Sequence, residues 1–457
     1  MSGLDSAHRI MNLSAIEPSN APRQRRSAVA AILLFAIVAT FLSYRVLARA
    51  NFAGPAQPGE ALADFRDAAY YPAKALSDGN NPYDPVAFVK TYPVSLPLPL
   101  YSPMALALYL PLTLFSFPTA ATIFCLLNVA LTPVLVWLAL RLSGLGASVG
   151  RVFTLAAFLL ISRGGYLSLF FGQCSTYVVI GTYVALLAAR ERPGLAGLGL
   201  ALATLKPTFG GPLAILMAAR RDFRAVIIGL ALGGLGALGP TVALVHNAGG
   251  LTPFTASLQA SHRSYEEDPY VNPASSRERI DSAVLAGRLA GPAFGTQAEF
   301  ALTLLLVGIG AAALWRLSAG ETGSTRVQSA GLVCLTIAVC IYHQAYELAL
   351  LAMPLVACCY TASARRMNVD TQLRWLLIAL LAAPMANYLM SSSVLSRLSW
   401  GQGANLSGWF LVAASLNSFC ILSAFCIAVG LAFRHSAHHQ PVVTASDMIG
   451  RRYERGC

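Results

Sequence analysis

Long apolar segments recur along most of this chain, and they constrain its fold more than any other feature. A helix needs about 20 apolar residues to cross the hydrocarbon core of a bilayer. Hydrophobic residues make up 56% of the chain and charged residues only 11%, whereas soluble domains carry about 25% charged residues. A membrane barrel would instead show short alternating strands. The sequence therefore predicts an all-α polytopic membrane protein.

The apolar segments predict a bundle of about 11 to 13 transmembrane helices. We expect one transmembrane domain over residues 28–433, between disordered tails over 1–27 and 434–457. The segment 194–219 is split at Lys206, so it forms either a short helical hairpin or one kinked span. The predicted spans are 28–48, two proline-interrupted segments within 98–143, further segments within 151–190, the segment 194–219, and 225–245, 299–316, 327–342, 345–361, 374–391 and 407–433.

The positive charges indicate how the chain lies in the membrane. The net charge is +12, and the arginines lie beside apolar segments, as the positive-inside rule requires, rather than on a surface for nucleic acid. Arg23, Arg25 and Arg26 precede the first span, so we expect both termini to be cytoplasmic and the protein to be a multi-pass protein of the plasma membrane. Residues 50–97 and 246–298 then form two large external loops.

The first external loop is unusually acidic. Asp64, Asp67, Asp78 and Asp84 are four of only 20 acidic residues in the chain. The stretch "DFRDAAYYPAKAL" has the pattern of a helix at the membrane surface, and "GNNPYDP" is typical of a turn. An acid this close to a span is either solvated or functional.

Lys206 lies within the otherwise apolar stretch "GLALATLKPTFGG". A cation at membrane depth is costly and usually functional, and an ammonium is a natural partner for a lipid phosphate. The alternative is that its side chain extends to the interface.

Three further polar residues begin apolar segments. His343 and Glu347 are four residues apart and share a helix face, so they either hold a phosphate or hydroxyl or form a local bond at a helix end. Gln173 in "FFGQCSTY" marks a helix start or contacts a sugar.

Familiar catalytic motifs are missing from the sequence. It has no P-loop and no GxSxG motif, and His343 and Glu347 do not have the spacing of a metal site. We therefore expect no cofactor and no metal, and a substrate that reaches the external face through the lipid.

Several stretches resemble a known enzyme family. They are "DFRDAAYYPAKAL", "YSPMALALYLPL" and the region from "GQCSTY" to "RRDFR" at residues 172–224. Together they resemble the GT-C glycosyltransferases, in particular glycosyltransferase family 87, the DUF2029-like enzymes that use polyprenyl-phosphate sugars and include mannosyltransferases. The resemblance covers about residues 30–360.

The resemblance implies an inverting, metal-independent transfer of a sugar, with mannose expected, to a lipid-linked or glycan acceptor hydroxyl at the outer face. An acid of the first external loop acts as general base, and both Asp64 and Asp67 fit that position. The leaving phosphate needs cations rather than a general acid. The residues expected to bind donor phosphate or sugar are Lys206, His343, Arg279, Arg288, Gln173, Tyr70, Tyr71, Asn80 and Glu347.

Two other functions are compatible with the residues. A transporter or flippase for lipid-linked glycans would favour ionisable residues at the bilayer midplane and matched broken helices. A polymerase or ligase for lipid-linked glycans also needs a large external loop. Neither particularly requires an acid directly after the first span.

Overall fold

The computed structural model describes residues 21–55, 60–96, 101–266, 271–276, 278–291, 294–318, 323–366, 369–389, 391, 394 and 408–438. These residues fold as helices, and the only β-type pairings among them are two isolated bridges. The predicted tails lie mostly outside this described part of the chain.

Twenty α-helices and three irregular helices follow one another in the described residues. They are α1 (Ala21–Leu47), α2 (Ala63–Phe65), a π-helix (Arg66–Tyr70), α3 (Tyr71–Ser77), α4 (Pro85–Thr91), α5 (Pro103–Tyr109), a 3₁₀-helix (Leu110–Leu114), α6 (Phe117–Leu142), α7 (Val149–Ile161), α8 (Arg163–Phe171), α9 (Ser175–Ala188), α10 (Pro193–Ala203), α11 (Pro207–Ala219), α12 (Phe223–Asn247), α13 (Leu251–Glu266), α14 (Ser282–Ala290), α15 (Thr296–Ser318), α16 (Gly323–Cys340), a 3₁₀-helix (Ala345–Leu351), α17 (Ala352–Cys359), α18 (Thr361–Arg366), α19 (Thr371–Ala386) and α20 (Gly408–His438).

Five of these helices are long and apolar enough to cross a membrane. They are α1, α6, α12, α15 and α20. A sixth crossing is available if α7 and α8, which bend by 69° at Ser162, form one broken span. Many large apolar side chains on the outside of α1 and α12 are exposed. Ile37 and Leu235, for example, each have an exposed fraction of 68%. Such a surface suits lipid rather than water, and the protein is therefore a multi-pass membrane protein.

Shorter apolar helices of 10 to 17 residues complete the bundle. They include α9, α10, α11 and α19, which are too short to cross 30 Å of hydrocarbon upright at about 1.5 Å per residue. The all-helical membrane fold is confirmed. The count of 11 to 13 crossings stays a prediction, since it needs several of these shorter helices to cross as well.

The predicted break at Lys206 is present. Helix α10 ends at Ala203 and α11 begins at Pro207, so that Lys206 lies in the turn between them. Proline fits the first position of a helix because it has no N–H to leave unsatisfied there. The stretch 194–219 is thus two helices, which agrees with the interruption seen in the sequence.

Small residues allow the central helices to approach closely. A side chain built on Gly181 of α9 would place its Cβ 2.6 Å from the carbonyl oxygen of Gly199 in α10. Association of helices in lipid relies on such close packing because burial of apolar surface gives little driving force there. Helices α9 and α10 are therefore tightly packed. The turn before α9 and the turn after α10 both carry residues of the candidate site.

The two stretches predicted as external loops are partly helical. The first contains α2, the π-helix, α3 and α4, and the second contains α13 and α14. Asp84 caps α4 by accepting hydrogen bonds from the backbone N–H groups of Val86 and Ala87, as a residue after a turn commonly does. Their position outside the membrane remains a prediction.

Candidate active site

Asp64 lies in an unusual piece of backbone. Leu62, two residues earlier, has a φ of +63°, which is costly for a bulky side chain and stores on the order of 1–3 kcal/mol. A π-helix over Arg66–Tyr70 follows directly, and such turns are rare and frequently occur at functional sites. The backbone on both sides of Asp64 therefore departs from regular helix.

A glycine turn is packed against this segment. The backbone N–H of Leu62 donates to the carbonyl oxygen of Phe170 at 2.6 Å. Gly172 has a φ of +73°, and a Cβ at this position would lie 2.6 Å from Cβ of Phe65. Only glycine meets both requirements without strain. The turn between α8 and α9 consequently lies directly against the segment that carries Asp64.

Gln173, the next residue, joins Asp64 to Tyr101. Its Nε2 donates a hydrogen bond to Oδ2 of Asp64, and its Oε1 accepts one from the Tyr101 hydroxyl at 3.1 Å. The side chain is buried, so both ends of the amide need partners, and both have them. The residue predicted as a sugar contact or helix start is thus bonded to Asp64, one of the two acids predicted as base.

Lys206 is buried and paired rather than extended to the membrane surface. Its Nζ lies 2.7 Å from Oε1 of Glu347, and each side chain is 4% exposed. The same ammonium lies 5.5 Å from the ring centre of Tyr101 and 4.7 Å from that of Tyr346. Aromatic faces attract cations most strongly where water is excluded. Lys206 is therefore held by one carboxylate and two rings.

His343 completes this cluster. Its Nδ1 lies 2.6 Å from Oε2 of Glu347, and Glu347 also accepts from the backbone N–H of Gln344. Glu347 therefore caps the end of its 3₁₀-helix and also links His343 to Lys206. Nε2 of His343 is buried and has no hydrogen-bond partner among the described residues. A buried nitrogen of this kind calls for a partner.

Asp64, Gln173, Lys206, His343 and Glu347 therefore form one continuous site, with the Tyr101 ring between Gln173 and Lys206. Burial raises the pKa of Asp64 to about 6, while the Gln173 hydrogen bond and the charge of Lys206 act in the opposite direction. A carboxylate near this value is ionised at neutral pH yet takes up a proton readily, as a general base must.

Asp67 lies one turn further on and has different hydrogen-bond partners. Its Oδ2 accepts hydrogen bonds from the backbone N–H groups of Ser95 at 3.0 Å and Leu96 at 3.2 Å. Burial raises the pKa of Asp67 to about 7, and the Ser95 N–H lowers it. The side chain thus fastens the end of the first loop to the π-helix.

The polar residues predicted to shape a sugar pocket lie apart from the cluster or serve the fold. Tyr70 donates to the carbonyl oxygen of Phe115 at 2.7 Å, and the ring of Tyr71 stacks on Phe117 at 5.6 Å. Asn80 is exposed and donates to the Tyr92 hydroxyl. Among the described residues, none of their hydrogen bonds or ring contacts reaches Lys206 or Asp64.

The two arginines predicted to bind phosphate are engaged elsewhere. Arg279 lies 2.9 Å from Asp281 and 2.6 Å from Glu299, which offset its charge. The segment that carries it does touch the cluster, since Ile280 N–H donates to the His343 carbonyl oxygen.

Arg288 donates to the Ser415 hydroxyl at 2.8 Å and to the carbonyl oxygen of Ser276 at 2.6 Å. It therefore ties α14 to α20.

Tyr101 and Tyr346 are the members of the cluster that the sequence did not single out. Tyr101 lies in the stretch "YSPMALALYLPL", which contributes to the family resemblance, and Tyr346 lies between His343 and Glu347. A tyrosine in an apolar sequence gives little signal, because aromatic residues are common at membrane interfaces. Their position next to a buried lysine could be found only from the three-dimensional arrangement.

A largely apolar cavity adjoins the cluster. Its volume is about 450 Å³, and Tyr101 contributes to its wall. Most of the remaining lining comes from α5, α11, α12, α13 and the turn before Lys206. Among the lining residues are Ser102, Thr204, Pro207, Leu230, Phe254 and Leu258. Binding cavities of 300–1,000 Å³ with few polar groups are typical of sites for apolar ligands.

Comparison with known proteins identifies the chain. Residues 100–342, more than half of it, match the model of glycosyltransferase family 87. The matched region contains Gln173 and Lys206 and ends one residue before His343, while Asp64 precedes it. No curated protein and no solved structure gave a significant match. The chain belongs to glycosyltransferase family 87, a GT-C-type family of membrane glycosyltransferases.

Proposed function

We propose that this membrane glycosyltransferase takes its sugar from a polyprenyl-phosphate donor and transfers it to an acceptor hydroxyl with Asp64 as general base. Mannose is the sugar we expect, and a lipid-linked molecule or a glycan is the acceptor. Family membership favours transfer over the transport, polymerase or ligase functions that the residues alone left open.

One observation carries the proposal. The carboxylate of Asp64 and the ammonium of Lys206 belong to the same buried network, joined by Gln173 and Tyr101. A transfer from a phosphate requires a base on the acceptor side and positive charge on the leaving-group side. This network contains both groups within one site, and it adjoins the apolar cavity through Tyr101.

The chemical step is a single displacement. The acceptor oxygen forms a bond to the anomeric carbon while its proton passes to Asp64. The bond between that carbon and the phosphate oxygen breaks, and polyprenyl phosphate leaves with the electron pair. Configuration at the anomeric carbon is inverted. The leaving group is a weak base, so a protonated acid is not needed there.

Lys206 and His343 are the groups proposed to meet the donor phosphate. Lys206 carries a charge in a place from which water is excluded, where electrostatic stabilisation is strongest. A phosphate oxygen near His343 would give Nε2 the partner that it lacks among the described residues. The apolar cavity suits the first isoprenoid units of the same donor.

The distribution of arginines supports a site at the outer face of the plasma membrane with both termini in the cytoplasm. Arg192 directly precedes α10 and Arg220 directly follows α11, at the ends of these helices away from Lys206. Cationic turns remain in the cytoplasm. The Lys206 turn then points away from the cytoplasm, toward the side on which we propose that the lipid-linked donor presents its sugar.

The test uses purified protein in lipid nanodiscs with polyprenyl-phosphate-[¹⁴C]mannose and a membrane lipid extract as the acceptor source. We expect label to move to a new product, and Asp64→Asn to lower the rate about 10²- to 10⁴-fold, as removal of a general base does. Asp84→Asn, which alters only a helix cap, is the matched control and should leave the rate unchanged.

Transfer from a nucleotide sugar but not from the lipid-linked donor would refute the donor assignment. Normal transfer by Asp64→Asn would refute the base assignment. The anomeric configuration of the product, read by NMR, decides between inversion and retention.

A further inference from the structure

We infer that Gln173 is a positioning residue for the base: its amide fixes the carboxylate of Asp64 from one side, and the Tyr101 hydroxyl fixes the amide from the other. This role, which rests on the proposed function of Asp64, differs from the sugar contact predicted from the sequence. In this role, the "GQ" turn between α8 and α9 orients the proposed catalytic carboxylate.

The orientation of the amide is determined by its two partners. An ionised carboxylate only accepts hydrogen bonds, so the NH₂ group must face Asp64, as it does. The carbonyl oxygen then faces Tyr101, whose hydroxyl donates to it at 3.1 Å. A rotation of the amide by 180° would set oxygen against oxygen at Asp64. Gln173 can therefore hold only one arrangement while Asp64 is charged.

This arrangement leaves half of the carboxylate available. Gln173 occupies Oδ2 of Asp64, whereas Oδ1 has no hydrogen-bond partner among the described residues. The side chain of Asp64 is only half-buried. Oδ1 is thus the oxygen that an acceptor hydroxyl can approach, and its direction is set by the bond to Oδ2.

The backbone on both sides is built to bring the two residues together. Gly172 has a positive φ and no room for a Cβ against Phe65. On the other side, Leu62 adopts its left-handed conformation while its N–H bonds to Phe170. These features hold the two segments in contact at adjacent residues.

Other charged or titratable groups also face Asp64, and they must be considered in any pH experiment. Lys206 in the turn before α11 favours the ionised form of Asp64. Asp67 on the neighbouring π-helix interacts with Asp64 unfavourably when both are ionised. Tyr346 and Cys174 also lie near the cluster and stay uncharged at neutral pH. Substitution of Gln173 leaves all four groups in place.

The test is Gln173→Met, which keeps the shape of the side chain and removes both hydrogen bonds. We expect kcat to fall about 10- to 100-fold, the size expected for loss of a hydrogen bond to a charged group, while the KM for the donor changes less than threefold. The acid limb of the pH profile of kcat/KM should move to higher pH, because a hydrogen bond to the charged form favours that form.

Two further variants make the result specific. Gln173→Glu puts a second carboxylate against Asp64, so it should lose more activity than Gln173→Met at neutral pH and recover part of it at lower pH. Gln328→Met removes a buried glutamine from α16, far along the chain from the site. It should change neither kcat nor the pH profile.

The outcomes separate this inference from the proposed function. If Asp64→Asn is inactive while Gln173→Met keeps a normal kcat and an unmoved acid limb, the positioning role is wrong and the base assignment stands. A raised donor KM with a normal kcat would return Gln173 to sugar binding. If Asp64→Asn keeps full activity, the base assignment itself fails, and the positioning role fails with it.

Discussion

Lys206 and Glu347 are 141 residues apart in the sequence and 2.7 Å apart in the folded chain. They form a buried ion pair whose members come from the turn before α11 and from the 3₁₀-helix that follows α16. A buried pair adds little net stability, because both charges have lost their hydration, yet removal of one member leaves the other uncompensated.

Lys206→Met should therefore destabilise the protein by about 3–5 kcal/mol. The double variant Lys206→Met with Glu347→Gln should lose less than the sum of the two single changes, because it leaves no lone charge. The measurement is the free energy of unfolding in detergent, compared across the four proteins of the cycle. Additive losses would show that the two side chains do not interact in the way described.

The two aspartates should respond differently to the same change. Asp67→Asn keeps an oxygen that can accept from Ser95 and Leu96, so it should fold normally and retain at least about a tenth of the activity. Asp67→Ala leaves two backbone N–H groups without their acceptor and should cost about 1–3 kcal/mol in stability. Thermal unfolding and transfer rates of both variants check this, and total inactivity of a well-folded Asp67→Asn would make Asp67 the base.

The pH dependence of transfer follows from the pKa of Asp64. Since burial raises that pKa to about 6, the carboxylate is protonated and inactive as a base below this value. The rate should thus fall as the pH drops through about 6 and be flat above it. Initial rates at saturating donor between pH 4.5 and 8 measure this, and a rate that stays constant down to pH 4.5 would contradict it.

Gly172→Ala should damage the site through the backbone. The added methyl group meets Phe65 at 2.6 Å in a residue with positive φ, and such overpacking costs about 1–3 kcal/mol. The segment that carries Asp64 must then move away from Gln173. We expect a kcat loss at least as large as that of Gln173→Met. Gly194→Ala, where a Cβ meets nothing within 4 Å, is the matched control and should behave as wild type.

Arg288 provides a test of which cations belong to the site. Its bonds go to Ser415 and Ser276 rather than to the cluster. Arg288→Gln should lower the melting temperature and leave the KM for the donor unchanged, whereas Lys206→Arg should alter that KM. A several-fold rise in donor KM for a stable Arg288→Gln would restore this arginine to the phosphate site.

Much of the helical architecture could be predicted from hydropathy alone. The predicted spans at 225–245 and 299–316 correspond to α12 and α15, and the break at Lys206 follows from a lysine and a proline in an apolar stretch. These features are local, because a lipid environment requires each helix to satisfy its own backbone hydrogen bonds. The number of crossings cannot be predicted from local sequence in the same way, since it depends on how short helices such as α9 are tilted and buried.

The composition of the site was partly predictable and its connections were not. Asp64, Gln173 and Lys206 stand out because polar side chains are rare in apolar surroundings. Their pairing is a property of packing between distant segments, and Asp64 and Gln173 are 109 residues apart. The partners of Arg279, Asp281 and Glu299, are closer in sequence, but proximity in sequence alone does not show that charged side chains pair.

The balance of charge between Lys206 and Glu347 has a consequence for turnover. Together they carry no net charge, so neither ion needs a further counterion in the apolar interior. In the proposed reaction the leaving phosphate gains a negative charge, and Lys206 can stabilise that charge only by dividing its attraction between the phosphate and Glu347. Release of the product then returns the ammonium to Glu347 alone, so the ion pair restores the neutral site after each proposed turnover.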